Sequence, residues 1–364
     1  MPSGGKGGPM GLTLIHAADL HLDSPFASFG EAQRELLQRA QRELPERLAR
    51  CVQSQEAQTL LLAGDIFDGP YCRETARALA DCLEDTGVPV FIAPGNHDHL
   101  GPDSPWDRES WPENVYIFRG ALRYVDIEAL SLRVYGGGYS AMDCPGLLEG
   151  FQAEGEQKYS VGLLHGDPTQ ARSPYCPVTA SQVERSGLQY LALGHVHKGG
   201  SFQAGETLCA WPGCPMGRGW DETGTKGILK VELGEKVRLT PIQLGLPRFF
   251  TETVDISGGW EEALKAVLPA SQTQDFYRVT LTGRGAADWE TIRKTFAYIQ
   301  NLEFRDRTRP QEDLWSWAGE DSFRGTYFGL LKARLEQTPE DREAVSLAAE
   351  LSRKILEGEE VALP

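Results

Sequence analysis

The sequence predicts an α/β protein: a two-layer β-sandwich flanked by helices, followed by a small α+β capping domain and C-terminal helices. Two observations carry that expectation. From Leu12 to Ala93, short apolar runs alternate with helix-forming segments as strand, helix, strand, helix, strand. Five apolar runs in the chain also end in carboxylate, imidazole or amide side chains, the pattern of a sheet whose site lies at the carboxyl ends of its strands.

Leu12–Ala17 reads as the first strand and leads into Asp19 and His21. Residues 31–58, rich in Glu, Gln, Arg, Leu and Ala, read as one helix although Pro45 stands near the middle. Thr59–Ala63 is a second strand, ending in Gly64-Asp65. Arg73–Asp85 has helical composition, and Gly87 and Pro89 stop it before the third apolar run, Val88–Ala93. That run ends in Gly95-Asn96-His97-Asp98-His99. A loop bearing Pro and Trp, residues 101–114, follows. Val115–Phe118, Leu130–Tyr135 and Tyr159–Leu164 are strand-like with little helix between them, so the second half of this domain is expected to be more antiparallel. Leu188–Leu193 delivers Gly194-His195-Val196-His197. Strands near Thr207–Ala210 and Lys226–Leu233 follow, and Val237–Leu244 closes the sheet.

Beyond Leu246-Pro247 the character changes and no His occurs. The division expected is a flexible leader (1–11), a main domain (12–245), an α+β capping domain (246–310) and a C-terminal helical segment (311–364) broken at Pro339. A chain of 364 residues is long enough for this division.

Composition sets limits on function. With 36 Lys and Arg against 52 Asp and Glu, the formal charge is −16, unlike a protein that holds nucleic acid by a broadly basic surface. If the substrate is DNA, a local basic groove or a partner must attract the phosphates. No apolar run approaches the ~20 residues that span a bilayer, and the leader lacks a signal peptide's apolar core. The 7 cysteines contain no C-x-x-C pair, which fits reduced thiols and a cytoplasmic location, with no membrane association.

The strand-end residues suit metal ions. In Asp19-x-His21, strand-like residues two apart share a face and can hold one cation. Asp65, after a glycine, can use both oxygens and bridge two. Asn96 offers a neutral carbonyl oxygen, and His195 and His197 add imidazoles. Two cations sharing a carboxylate can clamp a phosphoryl group and turn a bridging water into a hydroxide nucleophile. His97 can protonate the leaving oxygen, with Asp68 orienting it. Imidazole, carboxylate and amide without thiolate fit Mn, Fe, Zn or Co.

The blocks D-x-H, G-D-x-x-D, G-N-H-D, a lone H and G-H-x-H occur in that order. The pattern resembles the calcineurin-like metallophosphoesterase superfamily across residues 12–245. The resemblance implies a first metal at Asp19, His21, Asp65 and His197, a second at Asp65, Asn96, His165 and His195, and His97 as catalytic histidine. The flanks His16–Phe26, Tyr190–Lys198 and Trp211–Arg218, with Glu222 and Lys226-Gly227, look like the YhaO family of DNA repair exonucleases, related to the SbcD nuclease subunit. That likeness implies two manganese ions, DNA as substrate, a cap that steers it, and an SMC-like ATPase docking on the C-terminal helices. A homodimer through residues 73–85 is a further implication, with core packing as the ordinary role of that helix.

Other residues have plainer roles. His16 reads as a satisfied core histidine. Lys198 and Arg218 are candidate contacts for substrate phosphate; His99 stands between a substrate contact and an exposed loop residue. Trp106 and Trp111 read as loop packing before base stacking, and Arg305, Arg307 and Arg309 as a charged edge strand before a phosphate strip. Trp315 and Trp317 anchor the tail. Three functions remain open: a dinuclear-metal DNA exonuclease or endonuclease, a phosphatase acting on a protein or small molecule, and a partner-recruiting scaffold with vestigial activity.

Overall fold

The computed structural model describes residues 11–285, 287–309, 315–338 and 341–358, so the leader expected at 1–11 and the break at Pro339 lie almost wholly outside the described residues. Strand β1 (Leu12–Ala17) runs into a loop and helices α1 (Glu31–Arg42) and α2 (Leu44–Ser54). The single helix expected over 31–58 is therefore two. Pro45 has no N–H to donate, and it sits in the first turn of α2, where none is needed. Next come β2 (Thr59–Leu62), α3 (Arg73–Asp85), β3 (Val90–Ile92), the single turn α4 (Pro105–Arg108) and β4 (Val115–Ile117). These four strands pair in parallel in the order β1, β2, β3, β4.

The second sheet is built from β5 (Arg123–Ile127), β6 (Leu132–Gly136), β7 (Tyr159–His165), α5 (Ala180–Arg185), β8 (Tyr190–Gly194), β9 (Lys198–Ala204) and β10 (Thr207–Gly213). Its order is β5-β6-β7-β8-β10-β9. The antiparallel expectation is corrected here: β6, β7, β8 and β10 are mutually parallel, and only the edge strands β5 and β9 run against their neighbours. The connections after β6 and β7 cross over mostly as loop rather than helix, which hid the parallel course. Strands β5 and β9 were not foreseen, because an edge strand with one exposed face has too few apolar residues to show. Strands β11 (Ile228–Leu233) and β12 (Arg238–Ile242) return antiparallel to the far edge of the first sheet, β11 beside β1.

Side-chain alternation decides the layers. Leu14, Leu61 and Phe91 face Val134, Val161, Leu163 and Ala192 in the core between the sheets. Their neighbours Ile15, Leu60, Leu62, Val90 and Ile92 pack under Leu37, Leu48, Leu79 and Leu83 of α1–α3. On the far side, Leu164, Leu191 and Leu193 pack against Val178 and Val183. The result is the two-layer sheet core flanked by helices that the sequence predicts.

The chain divides into two compact units, one comprising residues up to Thr251 with 273–278 and 300–302, the other 252–272, 279–299 and 303 onward. Downstream of β12 the elements are β13 (Phe249–Asp255), α6 (Trp260–Val267), β14 (Phe276–Thr282), α7 (Trp289–Thr295) and β15 (Leu302–Asp306), the strands forming one sheet in that order. Helices α8 (Phe323–Gln337) and α9 (Arg342–Leu356) pack on each other. Trp317 lies edge-on to Phe328, with the Arg324 and Arg353 guanidinium groups 4.6 and 4.9 Å from its ring. No helix among the described residues is long and apolar enough to cross a membrane.

Candidate metal centre

The carboxyl ends of β1, β2, β3, β7 and β8 deliver all seven candidate ligands to one place. Asp19 and His21 reach it by a different route from the one expected. Neither is extended: their φ angles are 52° and 45°, and Asp65 and His195 are also left-handed at 50° and 90°. Non-glycine residues seldom adopt this region, and the strain persists only where surrounding bonds enforce it. Here the Asp19 and His21 amides each donate to the β2 tip, to the Gly64 and Asp65 carbonyls at 3.0 Å. The three glycines that precede candidate ligands allow close approach, and a Cβ on Gly64 would meet the His165 ring. A Cβ on Gly95 would collide with the Asp65 carboxylate, and one on Gly194 with the Ala63 carbonyl.

Three sets of donors converge among the described residues: His21, Asp68 and His97 form one, and two others consist of expected ligands alone. Asp19, His21 and His197 offer ligand atoms all within 4.8 Å of one another, as do Asp19, Asp65 and His165. His165 Nε2 lies 3.3 Å from Asp65 Oδ2 and 3.0 Å from Asn96 Oδ1. His195 joins none of the three. Its ring sits 5.2 Å from that of His165, and its backbone N–H donates to Asp19 Oδ1 at 3.0 Å.

The outer nitrogens set which inner atoms carry lone pairs. His197 Nδ1 donates to Glu222 Oε1 at 2.6 Å, and His165 Nδ1 donates to the Ala63 carbonyl at 2.9 Å. Both Nε2 atoms then face inward as acceptors. His197 Nε2 is 3.1 Å from His21 Nε2, and His21 Nδ1 is buried without a hydrogen-bond partner, 3.3 Å from Asp68 Oδ1 but poorly aligned. Acceptors aimed at each other at such distances fit divalent cations, and a cation taken by His21 Nε2 leaves Nδ1–H to face Asp68. The thiolate-free donor set suits Mn, Fe, Zn or Co.

Beside these ligands, His97 Nδ1 sits 3.0 Å from Asp68 Oδ1. The His97 backbone N–H donates to Asp65 Oδ1 at 2.9 Å, which ties this histidine to a carboxylate of the donor sets. Burial works against the Asp68 charge, yet the neighbouring His21 and His97 rings and Ser24, whose hydroxyl donates at 2.6 Å, hold its carboxyl well below the usual range. The Asp68 hydrogen bond in turn raises the His97 pKa. The pair therefore favours the protonated form of an imidazole that is 39 % exposed next to the donor sets.

The three candidate substrate contacts occupy different places. Arg218 faces inward: its guanidinium lies 3.2 Å from Asp68 Oδ1 and 3.1 Å from Glu222 Oε1. Lys198, exposed at the start of β9, lines a cavity of about 900 Å³ with His197, Trp211 and Lys226. His99 is half-buried, its Nδ1 3.0 Å from the Leu100 carbonyl, in a cavity of about 810 Å³ shared with His97, Tyr71, Arg73 and Arg108. Trp106 is buried and donates to the Asp98 carbonyl, so it packs rather than stacks. His16 is a core histidine bonded to Tyr190 and Leu193.

Two residues named only as parts of motifs prove to have positioning roles in the site. Asp98 is buried and accepts from the Gly95 and Ile66 amides at 2.7 Å, binding the β3 tip to the β2 tip. Burial and the nearby Asp65 charge push it up to about 7 despite those bonds. Its place inside the Gly95–His99 run was the available signal. Glu222 orients His197, and only its distance along the chain concealed it.

A family model described as calcineurin-like phosphoesterase matches residues 12–199. The chain belongs to the calcineurin-like phosphoesterase family. Members of this family are phosphoester hydrolases with dinuclear metal sites, and the two sets of expected ligands here are the candidates for those ions. The chain is 32 % identical over 244 residues to the uncharacterized metallophosphoesterase YhaO of Bacillus subtilis (strain 168), a match covering 61 % of this chain and 57 % of that protein. The match thus spans little more than half the length of that relative. Among solved structures, the chain is similar to a dimetal phosphatase from Danio rerio (14 % identity, 65 % of this chain and 98 % of that one, TM-score 0.44). It is also similar to the TT1561 protein of Thermus thermophilus (12 % identity, 64 % and 99 %, TM-score 0.41).

Proposed function

We propose that this phosphoesterase is a DNA nuclease that cleaves phosphodiesters, with manganese as its working ion. The observation that carries the reading is the His97–Asp68 pair beside the ligand sets. A deoxyribose oxygen is a poor leaving group and needs a proton. His97, 3.0 Å from Asp68, is placed to hold one next to the centre, and the Asp68 contact favours its protonated form. Bound divalent ions would supply Lewis-acid stabilisation of the phosphoryl group and a water acidic enough to react at neutral pH.

Two further features support a polymeric substrate. Cavities meet the centre at both His97 and His197, and each carries basic side chains, Arg73 and Arg108 in one, Lys198 and Lys226 in the other. The flanks that look like the YhaO family point the same way. Exposed Phe323, Leu330, Ile355 and Leu356 on α8 and α9 favour the accompanying proposal that an SMC-like ATPase docks there. The opposing observation is the formal charge of −16, which favours a phosphatase whose substrate brings little charge.

The deciding experiment offers the purified protein labelled DNA with Mn, Fe, Zn or Co in turn, and a nitrophenyl phosphodiester beside its monoester. The nuclease reading expects DNA degradation and faster diester cleavage, both lost in Asp65→Asn. Intact DNA with preferential monoester cleavage would overturn it in favour of the phosphatase. Hydrolysis of neither, with partner binding retained, would leave the scaffold.

A further inference from the structure

The loop leaving β6 and the loop leaving β7 meet at two buried cysteines. Cys144 and Tyr175 form an isolated parallel bridge, in which the Cys144 N–H donates to the Pro174 carbonyl at 2.9 Å. The Cys176 N–H donates back to the Cys144 carbonyl at 2.8 Å, so the two residues lie side by side. Cys176 has a φ of 44° and leaves the extended course, so its side chain need not point to the opposite face as it would in a regular strand. Both sulfurs belong to one apolar cluster with Tyr139, Leu148 and Val178. The Cys144 thiol donates to the neighbouring Pro145 carbonyl at 3.4 Å, a weak bond that leaves the sulfur free to turn toward Cys176.

We propose that Cys144 and Cys176 are an oxidisable pair that closes to a disulfide when a peroxide reaches it. Cys144 keeps 6 % exposure and Cys176 none, so Cys144 meets the oxidant first. Its sulfur attacks one oxygen of hydrogen peroxide, the O–O bond breaks, and the departing hydroxide takes the thiol proton to leave as water. The resulting sulfenic acid on Cys144 is attacked by the Cys176 sulfur. The S–O bond breaks, and a second water leaves with the Cys176 proton. Two thiols have lost two electrons, and one peroxide has become two waters.

The bond would join two segments that press aromatic rings on candidate ligands. Tyr139 lies edge-on to His165, centroids 5.5 Å apart, and Tyr175 is tilted over His195 at 4.8 Å. Oxidation would therefore restrict the loops that wall this side of the centre. The remaining cysteines at 51, 72, 82, 209 and 214 are spread over other elements.

The test treats the reduced full-length protein with one equivalent of hydrogen peroxide and maps its peptides without reduction. One linkage, 144 to 176, is expected, reversed by dithiothreitol, with a mass loss of two hydrogens. Amide exchange in residues 139–148 and 166–178 should slow at the same time. In Cys176→Ala, a sulfenic acid at Cys144 should be trapped by dimedone. The map of the unmodified chain decides the matter even if that variant fails to fold. A linkage between other cysteines, no linkage, or oxidation of either residue past sulfenic acid without bond formation would overturn the proposal.

Discussion

Arg218 and Asp68 are 150 positions apart in the chain, and the guanidinium of one lies 3.2 Å from the carboxylate of the other. The same guanidinium reaches Glu222 Oε1 at 3.1 Å, and the Arg218 backbone N–H donates to Glu222 Oε2 at 2.7 Å. Arg218 thus joins the carboxylate that orients His97 to the one that orients His197. Buried carboxylates of like charge need such a cation between them.

Arg218→Ala should accordingly impair both halves of the site. Loss of groups that orient ligands typically costs 10–100-fold in metal affinity or activity. We expect a loss of about that size in both quantities, measured by calorimetric metal titration and by phosphodiester hydrolysis. Arg218→Lys, with one charge but no fork, should recover only part. If affinity and activity both stay unchanged, Arg218 has no positioning role.

Removing the proton donor should be felt according to the leaving group. His97→Ala and Asp68→Asn should slow cleavage of alkyl phosphodiesters by about 10²–10⁴-fold, the usual range for general acid catalysis. A nitrophenyl diester, whose leaving group needs no proton, should lose far less. Metal content by atomic emission should stay at the unmodified level in His97→Ala. Equal losses on both substrates would speak against proton donation.

Asp98 predicts a stability effect. Asp98→Ala would leave the buried Gly95 and Ile66 amides without an acceptor, at a cost of roughly 2–6 kcal/mol for the two. Asp98→Asn keeps an acceptor for one of them and should cost less. Denaturant midpoints of the two variants against the parent chain give the comparison.

His16 gives the pH dependence a definite sign. Burial lowers its pKa from 6.5 to about 3, and the neutral ring is bonded to the Tyr190 hydroxyl and the Leu193 carbonyl. The unfolded chain takes up this proton first as pH falls, so the contribution is complete above the unfolded value of 6.5 and lost as pH falls toward 3. The full loss is on the order of 5 kcal/mol. His16→Asn cannot titrate, so its stability should fall less steeply with acid than that of the parent. Parallel slopes in urea unfolding between these pH values would exclude His16 as the titrating group.

The sequence by itself determined the alternation of strands and helices, the positions of the ligand-bearing tips and the chemical type of the centre. These are local properties: apolar runs buried on both faces of a parallel strand stand out, and metal-binding side chains next to glycine are visible where they occur. Only the tertiary structure decided the rest. The parallel course of β6, β7 and β8 depends on crossovers that carry little helix, and edge strands β5 and β9 show one face to water. Asp19 and His21 owe their common aim to left-handed backbone enforced by β2, not to strand alternation. Glu222, Arg218 and Asp98 act by holding other residues in place. Orientation of that kind is a matter of distances through space, which residue order does not contain.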